Sequence, residues 1–385
     1  MRWYPEQVFC MPKVIIDGWL LRQAGHGLAS FARMLVGGLA GTERRKDFLV
    51  AVPDGCESVV PDRMGVLPLP RGLGKPEVLG EALWQNRLGR YIRDDAGCDV
   101  LLAPSPFLSF ARVRRSIVVC HDLIPLRYTR YFGKLMYRRW LFENRLHWLR
   151  GASCVITDSD FTAEELRAYL GPAAPPMVTI PLWTPWADSP VPAHEVRRIV
   201  QAKYQLPSRY WLYVGGYDYR KNVELLIEAY GRVAKSQACP ALVLAGSIPL
   251  DLNKPVCDIR GALRKAEIRD TQVYCPGFIE AGDLAAVYAG AELFVYPSLA
   301  EGFGFPPVEA MSCGCPAVVA DASSLPEVVK DEAYRFPVRD SAKLSEILMS
   351  AVHKPLPLNP GFDRDFFSPA RGLQDYQQVI ERVRS

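Results

Sequence analysis

No stretch of this 385-residue sequence approaches the roughly 20 consecutive apolar residues that a membrane-spanning helix needs. The opening MRWYPEQVFCMPK lacks the apolar segment of a signal peptide, so the expected location is the cytoplasm. There is no C-x-x-C pair: the ten cysteines stand singly apart from Cys313-Gly-Cys315, and the five histidines are equally dispersed. That spacing predicts neither a metal site nor a redox pair, and the cysteines read as small buried hydrophobes of a reducing compartment. No G-x-G-x-x-G follows a predicted strand, which removes the fingerprint of a nicotinamide-dependent dehydrogenase. A net charge of +4 is too small to predict a nucleic-acid partner.

What is present is length and alternation. A chain of this size exceeds one ordinary core and fits two domains. Short apolar runs at Val14–Asp17, Phe48–Val52, Val100–Ala103, Ile117–Cys120 and Cys154–Thr157 alternate with helical patterns near 27–40, 77–95, 131–150 and 160–170. Continuous apolar strands between helices predict an α/β fold with parallel sheets covered on both faces. The pattern breaks at PLWTPWADSPVP, where four prolines fall between Pro181 and Pro192, a segment that reads as a linker. Alternation then resumes. Strands are predicted at Trp211–Val214, Leu242–Ala245, Val273–Cys275, Leu293–Tyr296 and Ala317–Val319. Helices are predicted near 222–235, 257–267, 283–289 (with Asp283 as N-cap), 307–312, 340–352 and 369–384. The expected organisation is a first doubly wound, Rossmann-like domain over 1–185, a second over 186–365, and a closing helix over 366–385 that returns to the first. Ligands of such sheets sit beyond the carboxyl ends of the strands, so the strand-to-helix turns are where chemistry is expected.

Four turns stand out. Leu293–Tyr296 runs into PSLAEGFGFPPVEAM. Pro306 and Pro307 suit the first turn of a helix, which puts Glu301 on the loop and Glu309 near the third helical position. Gly302 and Gly304 between them leave backbone N–H groups open to a ligand. A loop acid, glycine amides and a helix N-terminus suit a polyol joined to phosphate, with acids accepting from hydroxyls and amides meeting the diphosphate. The second turn, YVGGYDYRKN, brings Gly215 and Gly216 before Arg220 and Lys221, cations for a diphosphate. In the third, VVCHDLIPL, His121 and Asp122 follow a strand and face the cleft. In the fourth, Gly25 and Gly27 would let the backbone approach a phosphate or an acceptor. Beyond the turns, Trp84, Arg87, Arg90 and Arg93, and then Lys134 through Arg150, mix basic and aromatic residues on helical segments. That is the composition of helices that touch anionic lipid.

EGFGFPPVEAM, continued by GCPAVVADASSLPEVV, resembles the E-x7-E signature of the family-4 retaining glycosyltransferases. The resemblance is sharp over 211–230 and 292–329, moderate over 114–170, and poor at 55–95 and 172–192. It implies the GT-B fold, two Rossmann-like domains facing a central cleft. It implies that Glu301 contacts the transferred sugar, that Glu309 binds the ribose hydroxyls, and that Phe303-Gly304-Phe305 lies against sugar and phosphate. Lys221 would neutralise the leaving diphosphate, and His121 of the HDxxP pattern would lie over the sugar. Ser159 in TDSDFTAEEL matches a common family serine and is expected to cap a helix. Two departures stand out: Gly216 occupies a position where an arginine is common, and His26 and Leu28 replace residues of the usual GIGR, leaving only a backbone role to Gly25 and Gly27.

The resulting expectation is a retaining transferase without metal or cofactor, moving a mannose-like hexose, with a GDP-linked donor favoured, to a polysaccharide or lipid-linked glycan. UDP- or dTDP-linked donors, a nucleotide-sugar epimerase on the same scaffold and a non-catalytic sugar-binding module remain as alternatives. An anionic membrane surface is the further partner suggested by Trp84–Arg93 and Lys134–Arg150.

Overall fold

A computed structural model of the chain describes residues 14–23, 27–70, 77–94, 98–106, 113–128, 136–235, 239–246 and 256–385. Thirteen strands among them form two wholly parallel sheets. The first contains β1 (Val14–Asp17), β2 (Phe48–Pro53), β3 (Gly65–Leu69), β4 (Val100–Ala103), β5 (Ser116–Cys120), β6 (Cys154–Thr157) and β7 (Met177–Thr179), in the order β3-β2-β1-β4-β5-β6-β7. The second contains β8 (Tyr210–Val214), β9 (Ala241–Ala245), β10 (Val273–Gly277), β11 (Leu293–Tyr296), β12 (Ala317–Asp321) and β13 (Arg335–Pro337), in the order β10-β9-β8-β11-β12-β13. In each sheet the winding reverses once, between β1 and β4 and between β8 and β11. Those reversals are the points where doubly wound sheets bind ligands.

The central strands are buried on both faces, as their unbroken apolar sequences require. Three strands were not legible as apolar runs: β3, β7 and β13. All lie at sheet edges, where one side of the ladder is unpaired, so Pro68 and Pro337 are tolerated and several side chains stay partly exposed. A helix at His194–Lys203 also goes beyond the expected set, on the far side of the proline-rich segment. That segment is packed rather than free: Trp183 is fully buried, and a Cβ on Gly372 would lie 2.2 Å from its ring. The last helix, Pro369–Arg384, thereby lies against helix Leu28–Ala40, with Leu373 filling the space over Gly38 and Tyr376 against Trp183.

Two sequence expectations are corrected. Asp283 does not cap its helix, which begins at Ala281 with Glu280 as N-cap; its carboxylate instead accepts from Lys203 Nζ at 2.7 Å and the Tyr204 hydroxyl at 2.8 Å. Trp84 is not a surface anchor. It is 1% exposed, stacks on Trp19 and donates from Nε1 to Asp17 at 2.8 Å, leaving the exposed face of its helix to Leu83, Arg87, Arg90 and Arg93. No helix among the described residues is long and apolar enough to cross a membrane.

Candidate active site

The second sheet's reversal brings the turns after β8 and β11 side by side. Lys221 and Arg220, on a short turn before helix Val223–Val233, both meet the Glu301 carboxylate. The Lys221 ammonium donates to Oε1 at 2.7 Å and the Arg220 guanidinium to the same oxygen at 2.8 Å. The Ser298 hydroxyl is a third partner of that oxygen. Arg220 also donates to the Ala300 carbonyl at 2.6 Å, and Lys221 to the Tyr296 hydroxyl. Burial alone would raise the Glu301 carboxyl, but the two cations hold it down to about 2. Lys221 moves the other way from the usual ammonium: burial and the neighbouring Arg220 charge lower it, against the pull of Glu301. Glu301 is therefore a fixed carboxylate clamped on one oxygen.

The loop's backbone is held as firmly. Glu301 N–H donates to Ser323 Oγ at 2.8 Å, and Ser324 Oγ donates to the Glu301 carbonyl at 3.0 Å. Gly304, at φ 109°, is the N-cap of helix Phe305–Ser312, and no side chain caps it. Pro306 and Pro307 carry no N–H, so the amides this helix end can offer a ligand are those of Gly304 and Phe305. The helix starts two residues earlier than the prolines suggested, so Glu309 is its fifth residue rather than its third. There it is half-buried, with the Tyr288 hydroxyl donating at 3.0 Å. Burial pushes its carboxyl up to about 8, with only that hydroxyl opposing, because the helix amides are a full turn away.

Gly215 and Gly246 end neighbouring strands β8 and β9 so closely that a Cβ on Gly246 would lie 1.9 Å from the Gly215 carbonyl. A Cβ on Gly216 would lie 3.6 Å from Asp218 Oδ2, and the Gly216 carbonyl accepts from the Tyr213 hydroxyl.

Across the cleft, His121 follows β5. Its Nδ1 lies 2.6 Å from Asp158 Oδ2 and its Nε2 2.9 Å from the Pro104 carbonyl, so both ring nitrogens are engaged within the first domain. The Phe31 ring from helix Leu28–Ala40 packs edge-on against the imidazole at 4.6 Å. What faces the Glu301 loop is instead the His121 main chain: a Cβ on Gly302 would lie 2.1 Å from its carbonyl oxygen. Asp122 accepts from the Ile124 N–H at 3.0 Å, and burial raises its carboxyl. Gly27, at φ 75°, is the N-cap of helix Leu28–Ala40, with nothing within 4 Å of where its Cβ would stand, whereas Gly25 lies outside the described residues.

The two domains meet at the N-terminus of helix Asp160–Leu170. Ser159 caps it as expected, accepting from Thr162 N–H at 3.1 Å, and also donates to the Gly302 carbonyl at 2.6 Å. Glu327, from the second domain, accepts from the Asp160 and Phe161 N–H groups at 2.9 and 2.8 Å. Carboxylate and helix N-terminus attract one another, so this is an interdomain clasp. Sequence reasoning missed Glu327, Asp158, Tyr288, Tyr296 and Ser298. Asp158 carried a signal, an acid at a strand end beside Ser159; the others act through contacts between segments far apart in sequence.

Two family models match the chain: "Glycosyltransferase Family 4" over residues 26–185 and "Glycosyl transferases group 1" over residues 198–361. The serotype-specific mannosyltransferase WbdA of Escherichia coli is 32% identical over 245 residues, 62% of this chain but only 29% of that protein. The O-antigen chain mannosyltransferase B of Escherichia coli is 34% identical over 223 residues, 57% of this chain and 56% of that protein. The chain thus matches about half or less of the length of these relatives. Among solved structures, the sucrose-phosphate synthase of Thermosynechococcus elongatus shares the fold, with a TM-score of 0.73 at 20% identity over 96% of this chain and 98% of that one.

Proposed function

We propose that this chain, which belongs to the family-4 glycosyltransferases, moves a hexose from a nucleotide diphosphate to a glycan acceptor with retention of anomeric configuration. Its two facing parallel sheets are the GT-B arrangement. One observation carries the reading: Lys221 and Arg220 clamp Oε1 of Glu301 at the reversal of the second sheet, beside the uncapped helix that starts after Gly304. In this reading Glu301 Oε2 accepts from a sugar hydroxyl, while Lys221 and the Gly304 and Phe305 amides receive the diphosphate. Glu309 takes the ribose hydroxyls, and Gly215 and Gly216 admit the nucleotide backbone. Phe303, expected against the sugar, is instead buried in the core beside Phe367, so the partly exposed Phe305 is left to shape the sugar side.

The bond between the anomeric carbon and the diphosphate oxygen breaks with its electron pair leaving on the diphosphate. The acceptor hydroxyl oxygen bonds to the same carbon, and its proton passes to the departing phosphate. The developing charge falls on Lys221 and helix amides, so the reading requires neither metal nor cofactor.

The mannosyltransferase relatives favour a GDP-linked, mannose-like donor and an O-antigen or related lipopolysaccharide glycan as acceptor. The exposed Trp140 and Trp148 on one helix, and Leu83 with Arg87 and Arg90 on a second helix joined to it by the Arg145–Glu81 ion pair, support a docking face for an anionic membrane. Flotation with anionic but not neutral vesicles would support that face, and equal recovery in both would remove it.

The donor is tested by thermal shift with GDP-, UDP- and dTDP-sugars, followed by mass spectrometry of products with a lipid-linked acceptor. Lys221→Ala and Glu301→Ala are each expected to lower turnover by about 100-fold or more. Turnover near the unmutated rate in either variant would overturn the assignment, and an isomerised donor without glycoside would point to an epimerase.

A further inference from the structure

Resting on that transferase reading, we infer that Asp158 is a positioning residue for the transfer: it locks the His121 ring as a donor on both nitrogens, so the ring takes no proton from the acceptor and its main-chain carbonyl stays aimed at the Gly302 loop. The argument starts from the geometry. His121 Nε2 is 2.9 Å from the Pro104 carbonyl, an atom that can only accept, so Nε2 carries hydrogen. Nδ1 is 2.6 Å from Asp158 Oδ2, the length of a charge-assisted bond. Asp158 is 2% exposed, and its other oxygen, Oδ1, is buried without a hydrogen-bond partner among the described residues, so Oδ2 is left to His121. A ring so engaged has no lone pair to offer the cleft. The acceptor proton must leave by another route, and the departing phosphate is the base that the reaction itself creates.

The surroundings reinforce this. Burial opposes charge on both partners: it raises the Asp158 carboxyl although His121 pulls it down. It also works against the His121 charge, which the Asp158 carboxylate, the Pro104 carbonyl and Asp122 nonetheless raise above the ordinary histidine range. On its own turn His121 is flanked by Cys120 and Asp122. Helix Leu28–Ala40 presents the uncharged Phe31 ring, and helix Asp160–Leu170 brings Glu165 towards Asp122. The last helix brings the Tyr376 hydroxyl into the field of Asp158. Across the cleft, Arg220 and Glu301 act on Asp122 with opposite signs. The lock also ties His121 to the interdomain clasp, because Asp158 immediately precedes the capping Ser159 that donates to Gly302.

The decisive measurement is long-range nitrogen NMR on protein labelled with 15N-histidine, His121 being assigned by its loss in His121→Asn. Both ring nitrogens should carry hydrogen from pH 6 to pH 8, whatever the donor, so this result stands even if no transfer is found. A wild-type ring with one bare nitrogen at pH 7 would overturn the inference. Asp158→Asn keeps the shape but removes the charge that offsets burial, so the ring should hold only one proton at pH 8. Its kcat should then fall by about tenfold between pH 6 and pH 8 with the donor KM unchanged, while the unmutated enzyme stays flat. An Asp158→Asn profile parallel to the unmutated one, at equal rate, would refute the positioning role.

Discussion

Replacing Glu309 by glutamine keeps the side chain's shape and its acceptor for the Tyr288 hydroxyl, while removing a carboxyl that burial pushes up to about 8 from an ordinary 4.5. The sign follows from proton counting. The folded chain holds the Glu309 proton up to about pH 8, whereas the unfolded chain releases it near pH 4.5. Ionisation in the unfolded state therefore erodes stability as pH rises from 4.5 to 8. At pH 7 about 2.5 pH units of that interval have been crossed, and at 1.36 kcal/mol each the carboxyl costs about 3 kcal/mol. Glu309→Gln should return most of that. The variant should melt several degrees higher than the unmutated protein at pH 8 and nearly level with it at pH 4.5, by calorimetry without ligand. The same change should weaken nucleotide binding by about tenfold or more above pH 8, where the ionised carboxylate has two oxygens able to accept from the ribose hydroxyls and the amide has one. Equal pH dependence of melting in the two proteins would refute the burial argument. Equal nucleotide affinity would remove Glu309 from the donor site while leaving the stability argument intact.

Gly302→Ala would place a methyl group 2.1 Å from the His121 carbonyl, so the cleft cannot close as observed; kcat should fall about 100-fold with little change in melting, and an unimpaired rate would deny that closure matters. Glu327→Ala removes both acceptors at the Asp160 and Phe161 amides and should lower kcat about tenfold and enlarge the donor-bound molecule in solution scattering; unchanged dimensions and rate would dissolve the clasp. Glu301 contributes stability that is fully present above pH 4.5 and lost as pH falls towards about 2. Denaturant titrations should therefore show the unmutated protein losing its advantage over Glu301→Gln by up to about 3 kcal/mol across that interval. A constant difference would show that Glu301 is not held ionised by Lys221 and Arg220.

Much of the fold was legible because a parallel strand covered on both faces is apolar along its length, so β1, β4, β6 and β11 announced themselves with the ends observed. Edge strands β3, β7 and β13 were not, since a strand paired on one side can hold proline and partly exposed side chains. The same division runs through the site. Glu301, Arg220 and Lys221 were found from the sequence because glycine, charge and a helix start lie close together along the chain. Which of their atoms meet was a matter of tertiary structure alone, since β8 and β11 become neighbours only where the sheet reverses. Sequence likewise marked His121, but not that its ring nitrogens are spent on Asp158 and Pro104 while its carbonyl meets Gly302. Trp84 shows the converse: its helical spacing with arginines was real, yet a buried acid at Asp17 drew it inward. Local pattern fixes what a segment can be, because helix and strand periods are local. Partners and protonation states depend on burial and on charges that only the folded chain brings within a few ångströms of one another.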